Sequence, residues 1–183
     1  MAVLDRRLCF ALAFVAALSL HDRGAVAASL SAYEVKAAFL VNFAKFATWP
    51  ADAFASDTAP FVVGVLGTDP FGAALDAAAR GQRAGDRPIQ VKRAGSRDDL
   101  RAYQIIFIAA SEVKELEQIM DRLEGVPTLS VSDIDDFCKS GGAIALVMDG
   151  TRVRFEVNVD ATERRRVKVS TRLLALAAKV HVK

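Results

Sequence analysis

The sequence predicts an α/β fold: a layered sandwich with a mostly parallel sheet, helices on both faces and a C-terminal antiparallel hairpin. Three observations carry this expectation. Phe61–Leu66 (FVVGVL) and residues 104–109 (QIIFIA) are apolar at nearly every position, as strands are when helices cover both faces of a parallel sheet. Helical patterns alternate with these strands along the chain. Near the end, Asp149-Gly150 separates two apolar runs, the strongest short-range signal for a hairpin.

Residues 1–28 read as a secretory signal peptide. Arg6 and Arg7 make a basic start, residues 8–20 form an apolar run, and Ala25-Val26-Ala27-Ala28 ends in small residues. A spanning helix needs about 20 apolar residues, and His21, Asp22 and Arg23 cut this run short. Cleavage after Ala27 or Ala28 is expected, leaving residues 29–183 as one exported domain in a periplasm. The leader takes Arg6, Arg7, Arg23, Asp5 and Asp22 from 24 basic and 22 acidic residues, so 21 and 20 remain. That balance offers no basic surplus for phosphate neutralisation and excludes nucleic acid as a partner. Cys138 is then the one cysteine left. It forms no internal bridge, and it reads as a small buried apolar residue or an intermolecular redox handle.

The first mature element is a helix over residues 33–50, YEVKAAFLVNFAKFATWP, ended by Pro50. At about 100° per residue, Val35, Phe39, Phe43 and Phe46 share one arc. The stripe rule for globular helices assigns such an arc to the core. Lys36 lies close to it, and Ala37, Leu40, Val41 and Ala44 carry the apolar set almost round the helix, so a second reading gives Lys36, Phe39 and Phe43 to a partner.

A polar connector leads to the strand Phe61–Leu66, and Asp69 and Pro70 suit the start of a helix over 71–80. Strands follow at 89–92 and 104–109, with only a short helical turn at 98–101 between them. Residues 112–123 read as a helix capped by Ser111 and closed by Gly125. A strand at 128–131, a short helix at 133–139 capped by Ser132, and the hairpin strands 143–148 and 151–159 come next. A helix over 171–180 with Ser170 as its cap closes the chain, and residues 181–183 read as a frayed tail.

The chemistry these residues exclude is informative. The mature chain has one histidine, His181, at its end, and a nucleophile needs an imidazole fixed beside it. No catalysis, cofactor or metal is expected, because one histidine and one cysteine fall short of the usual zinc ligand set. The acidic cluster Asp133, Asp135, Asp136 could hold a hard cation but lacks the glycine and distant glutamate of a calcium loop, and reads first as a helix start. Two glycine turns could line a small-ligand pocket at the strand ends: Gly67, Thr68 and Asp69 after the first strand, and Gly141 and Gly142 before a later one. The run Arg164, Arg165, Arg166 is the densest positive patch and could dock an acidic partner or an anionic lipid surface.

The segments 33–50, 61–75 (FVVGVLGTDPFGAAL), 104–111 (QIIFIAAS), 128–137 (TLSVSDIDDF) and 141–177 (GGAIALVMDGTRVRFEVNVDATERRRVKVSTRLLALA), taken in this order, resemble the YfiR family of small exported bacterial proteins. The resemblance implies a non-catalytic periplasmic regulator that represses an inner-membrane diguanylate cyclase by binding its periplasmic domain. It further implies that an outer-membrane lipoprotein can sequester the repressor, raising cyclic di-GMP and biofilm formation. Family repressors carry cysteine pairs, whereas this mature chain has only Cys138. Two readings follow. One is an interaction protein, alone or as a homodimer, contacting its partner through Lys36, Phe39, Phe43, Arg164, Arg165 and Arg166. The alternative is a periplasmic sensor domain that binds a small ligand at Gly67, Thr68, Asp69, Gly141 and Gly142.

Overall fold

The computed structural model describes residues 22–182, with side chains from residue 32 onward. The segment 1–28, read from the sequence as a signal peptide, therefore lies largely outside the described residues, and the backbone of 22–28 opens helix α1 (Asp22–Phe46). No helix among the described residues is long and apolar enough to cross a membrane.

Five parallel strands build the sheet: β2 (Phe61–Leu66), β4 (Arg87–Ala94), β5 (Ile105–Ile108), β6 (Leu129–Ser132) and β7 (Ile144–Asp149). Their order is β4-β2-β5-β6-β7, the doubly wound order in which the winding reverses between the first and third strands. The hairpin forms as expected, with β8 (Arg152–Asn158) antiparallel to β7. It is not the sheet edge. The tail read as frayed is a strand, β10 (Lys179–His181), lying parallel to β8 beyond the hairpin, while β3 (Arg83–Ala84) adds antiparallel to β4 at the other end. A separate two-stranded piece joins β1 (Ala47–Thr48) to β9 (Lys168–Val169), tying the end of α1 to the C-terminal region.

Strands β2, β5 and β6 are buried at every position because each face supports its own core. Phe61, Val63, Val65, Ile105, Phe107, Leu129 and Val131 point into the first core. It is covered by α1, α2 (Ala73–Ala79), α4 (Val159–Arg164) and α5 (Thr171–Leu176). Val62, Leu66, Ile106 and Ile108 point into the second, under Ile119, Met120 and Leu123 of the region of α3 (Leu116–Arg122) and under Phe137. The strand period of two thus splits each strand between two layers.

Helix α1 packs on α2, α5 and the sheet together, which explains its apolar circumference. Its buried arc runs through Lys36, Ala37, Leu40, Val41, Phe43 and Ala44. The predicted aromatic arc only overlaps the edge of this one: Phe39 and Phe46 are half-buried, and Val35 is 43% exposed.

Local chemistry accounts for the other departures. The helix expected over 112–123 begins as a 3-10 turn, Ala110–Glu115, and Ser111 does not cap it, because its Oγ accepts from the Thr68 amide at 2.9 Å. No helix forms at 133–139. The Ser132 hydroxyl accepts from the Ile134 amide at 3.0 Å, and Asp136 adopts φ 56°, which a right-handed helix cannot accommodate. The last helix stops at Leu176 because the Ala178 amide turns to the Phe155 carbonyl at 2.8 Å and starts the edge strand. Helix α4 was not expected. Asn158 begins it, its Oδ1 accepting from the Ala161 amide at 3.0 Å.

Candidate functional site: a surface groove with a basic rim

The residues expected to meet a partner divide sharply by burial. Lys36 has 9% of its side chain exposed, and its Nζ lies 2.5 Å from Asp133 Oδ2, which also accepts from the Tyr33 hydroxyl at 2.9 Å. Burial, reinforced by Asp133, pushes the Tyr33 phenol up to about 12. Phe43 is buried edge-on against Phe155 at 5.3 Å between centroids, and Phe39 is half-buried on the same ring at 5.5 Å. Lys36 and Phe43 therefore hold α1 to the sheet and offer a partner no free surface.

The three arginines point in different directions. Arg165 is buried, donating from Nη1 to the Gly141 and Ala161 carbonyls at 3.1 and 3.2 Å. Burial lowers its guanidinium pKa below the ordinary value. Arg164 is exposed, 3.9 Å from Glu124. Arg166 is also exposed, and its Nη1 donates to Asp52 Oδ2 at 2.9 Å. Its backbone lies in the left-handed region, φ 56°. There the Arg166 amide bonds the Glu163 carbonyl at 2.8 Å and the Val167 amide bonds the Thr162 carbonyl at 2.9 Å. This is the Schellman closure of a helix, whose left-handed residue is usually glycine. An arginine there costs about 1–2 kcal/mol of backbone energy.

Arg166 and Lys168 stand on the rim of an open groove of about 760 Å³. Trp49, Val159, Val167, Val169 and Leu174 form its largely apolar lining, with Glu163 on the same rim. The β1–β9 pairing builds it by bringing the end of α1 against the segment after α4. Trp49 is held by its Nε1, which donates to the Gln104 carbonyl at 3.0 Å, and by an edge contact with Phe61 at 4.8 Å. Apolar floor and cationic rim suit a side chain or small molecule with an aromatic or aliphatic body and an anionic end. Trp49 at the end of the aromatic helix and the apolar alternation Val167, Val169 were visible in the sequence, but only their long-range pairing makes them one surface.

The glycine turns expected to share a pocket are not brought together. In the sheet Leu66, Ile108, Ser132 and Ala145 lie in one row. Gly67 is one residue past that row, while Gly142 is three residues before it and three strands away. The crevice beside Gly67 is occupied by its own chain: a Cβ on Gly67 would lie 2.4 Å from Ser111 Oγ, and Thr68 donates to that hydroxyl. Asp69 accepts from the Phe71 amide at 2.7 Å and from Arg93 at 2.8 Å, so it caps a turn. Gly142 is required by close approach, since a Cβ would lie 2.2 Å from the Phe137 ring, and the Gly141 carbonyl serves Arg165.

A polar cluster not anticipated from the sequence lies beside β10. Cys138, Glu156 and His181 place one donor atom each within 4.8 Å of one another. His181 Nε2 is 2.7 Å from Glu156 Oε2. The arrangement does not make Cys138 a nucleophile: burial pushes its thiol up to about 12, the opposite of an activated cysteine. The cluster was hidden because β10 was read as frayed.

The fold is an α/β domain with two cores, an open surface groove and a switch-point crevice closed by its own chain. The chain belongs to the YfiR/HmsC-like family DUF4154, whose profile matches residues 33–178. That membership supports a role in signalling regulation. Among solved structures, an ABC domain from Streptococcus pneumonia, in complex with L-Trp, superposes with a TM-score of 0.55 at 9% identity over 79% of this chain and 60% of that one. A conserved domain protein from Vibrio cholerae O1 biovar eltor superposes with a TM-score of 0.50 at 11% identity over 66% of this chain and 54% of that one. The chain thus spans little more than half the length of each, and at these identities the likeness is one of fold.

Proposed function

We propose that this protein is a non-catalytic periplasmic regulator that binds and represses a membrane signalling protein, an inner-membrane diguanylate cyclase, and that an outer-membrane lipoprotein competes for it. Its contact surface is the groove at Trp49 with the rim residues Arg166 and Lys168; Arg164 and Phe39 lie outside it. The observation that carries this reading is Arg166. A bulky cationic side chain is kept at a left-handed position that glycine fills at lower cost, and that position sets its charge beside an apolar groove. An observed backbone outlier is a reason to look for function. Family membership supports a signalling partner in general.

Deleting the gene is expected to raise cyclic di-GMP and biofilm formation, and the wild-type gene to reverse both. Arg166→Gly is the discriminating variant. Glycine suits φ 56°, so the protein is expected to be as stable or up to about 1–2 kcal/mol more stable, while repression weakens. Unchanged cyclic di-GMP in the deletion strain, with the protein expressed in the parent, contradicts the cyclase assignment. Full repression by a stable Arg166→Gly protein moves the contact off the groove.

The groove itself favours a second reading, in which a small molecule with an apolar body and an anionic end occupies it and the domain acts as a sensor. Its volume falls in the usual range of about 300–1,000 Å³ for ligand sites. The pocket proposed at the two glycine turns gives way in this reading to the groove, since the fold separates the turns.

A further inference from the structure

We propose that Cys138, Glu156 and His181 form a binding site for one zinc-class divalent ion. The donor set is a thiol sulfur, a carboxylate oxygen and an imidazole nitrogen, all within 4.8 Å of one another. Three protein ligands with one open position is a recurrent zinc arrangement, with bonds of about 2.0–2.3 Å. Such bonds set tetrahedral donors about 3.3–3.7 Å apart. A modest rotation of the Cys138 and His181 side chains therefore closes the set around an ion. The scaffold is built and not incidental. Glu156 lies on β8, one strand in from the sheet edge, His181 is carried beside it by the parallel pairing of the edge strand β10 with β8, and Cys138 is fixed by its carbonyl, which accepts from Asn158 Nδ2 at 2.8 Å. An adjoining cavity of about 270 Å³, lined also by Gly141, Asn158 and Asp160, gives solvent access to both Cys138 and His181 and room for water as the fourth ligand.

The choice of metal follows from ligand softness. A thiolate and an imidazole favour zinc and similar transition ions over magnesium or calcium, which prefer oxygen. Several cations border the site, among them Arg164 on the wall of the adjoining cavity and Lys36 on the side toward α1. Lys179 faces Glu156 across the β8–β10 pairing, and Lys139 is turned to Asp136 at 2.6 Å. Binding replaces the Cys138 S–H bond with a sulfur–metal bond and releases that proton to solvent, so apparent affinity is expected to rise with pH. The inference is independent of the partner proposed above and concerns the opposite face of the sheet from α1.

The test uses the mature protein stripped of metal by a chelator, with Co²⁺ as a spectroscopic probe and Zn²⁺ as competitor. One equivalent of Co²⁺ is expected to give a sulfur-to-cobalt charge-transfer band, which Zn²⁺ then removes. Cys138→Ser is expected to abolish the band. Glu156→Gln and His181→Gln, at partly exposed positions, are expected to fold normally and to lower zinc affinity by at least about tenfold, the scale reached even by loss of outer-shell partners. Absence of the band in the wild-type protein, or unchanged zinc affinity in the folded Glu156→Gln and His181→Gln proteins, overturns the proposal.

Discussion

Asp133→Ala is expected to cost about 3–5 kcal/mol of folding stability, the usual cost of removing one partner from a buried ion pair. Asp133 and Lys36 have side chains 10% and 9% exposed, and among the described residues the carboxylate is the one anion bonded to the Lys36 ammonium. Removing it leaves a largely buried cation beyond the end of β6 with the Tyr33 ring against it, the ring centroid 4.4 Å from Nζ. A cation over a ring contributes about 0.5–2 kcal/mol, too little to offset the lost pair. Lys36→Met combined with Asp133→Leu removes both charges and is expected to recover most of the loss. Urea unfolding of the wild type, each single variant and the double variant measures this directly. A loss below about 1 kcal/mol for Asp133→Ala would mean that solvent reaches the pair and that Lys36 remains a candidate contact residue. For the same reason Lys36→Glu is unsuitable as a probe of partner binding: it sets two carboxylates together in a buried site.

Phe43→Ala is expected to cost about 3–5 kcal/mol. The ring is 1% exposed and packs on Phe39 and Phe155 at 5.9 and 5.3 Å, joining α1 to β8. Phe46→Ala is expected to cost less, because Phe46 is only half-buried and faces Arg172 at 5.7 Å. The pair of unfolding curves separates the two roles. Equal losses would place the helix rotated toward the aromatic arc that the sequence suggested.

That contrast shows where the sequence was informative. Strands buried on both faces are visible as unbroken apolar runs, so β2 and β5, the hairpin and the α/β layering could be read directly. The core face of α1 could not be fixed by its aromatics, because a helix with three neighbours hides small residues such as Ala37 and Ala44 as completely as rings. Charge was the larger obstacle. Lys36 and Arg165 look like surface residues in a sequence, and only long-range partners, Asp133 for one and two backbone carbonyls for the other, reveal them as buried. Of the three consecutive arginines, the helix closure turns Arg165 inward and leaves Arg164 and Arg166 outside. The groove and the Cys138, Glu156, His181 cluster both depend on pairings of the last strands, β9 with β1 and β10 with β8, and these strands are two and three residues long. Segments that short carry too little periodicity to be read.

Direct binding tests the central claim: calorimetric titration of the mature chain with the purified periplasmic domain of the inner-membrane diguanylate cyclase from the same cell. The account predicts saturable binding that weakens as salt rises, because rim charges contribute to association, and that weakens further for Arg166→Gly while that variant stays folded. No binding by the wild-type protein to that domain, or equal binding by wild type and Arg166→Gly across the salt range, would contradict it.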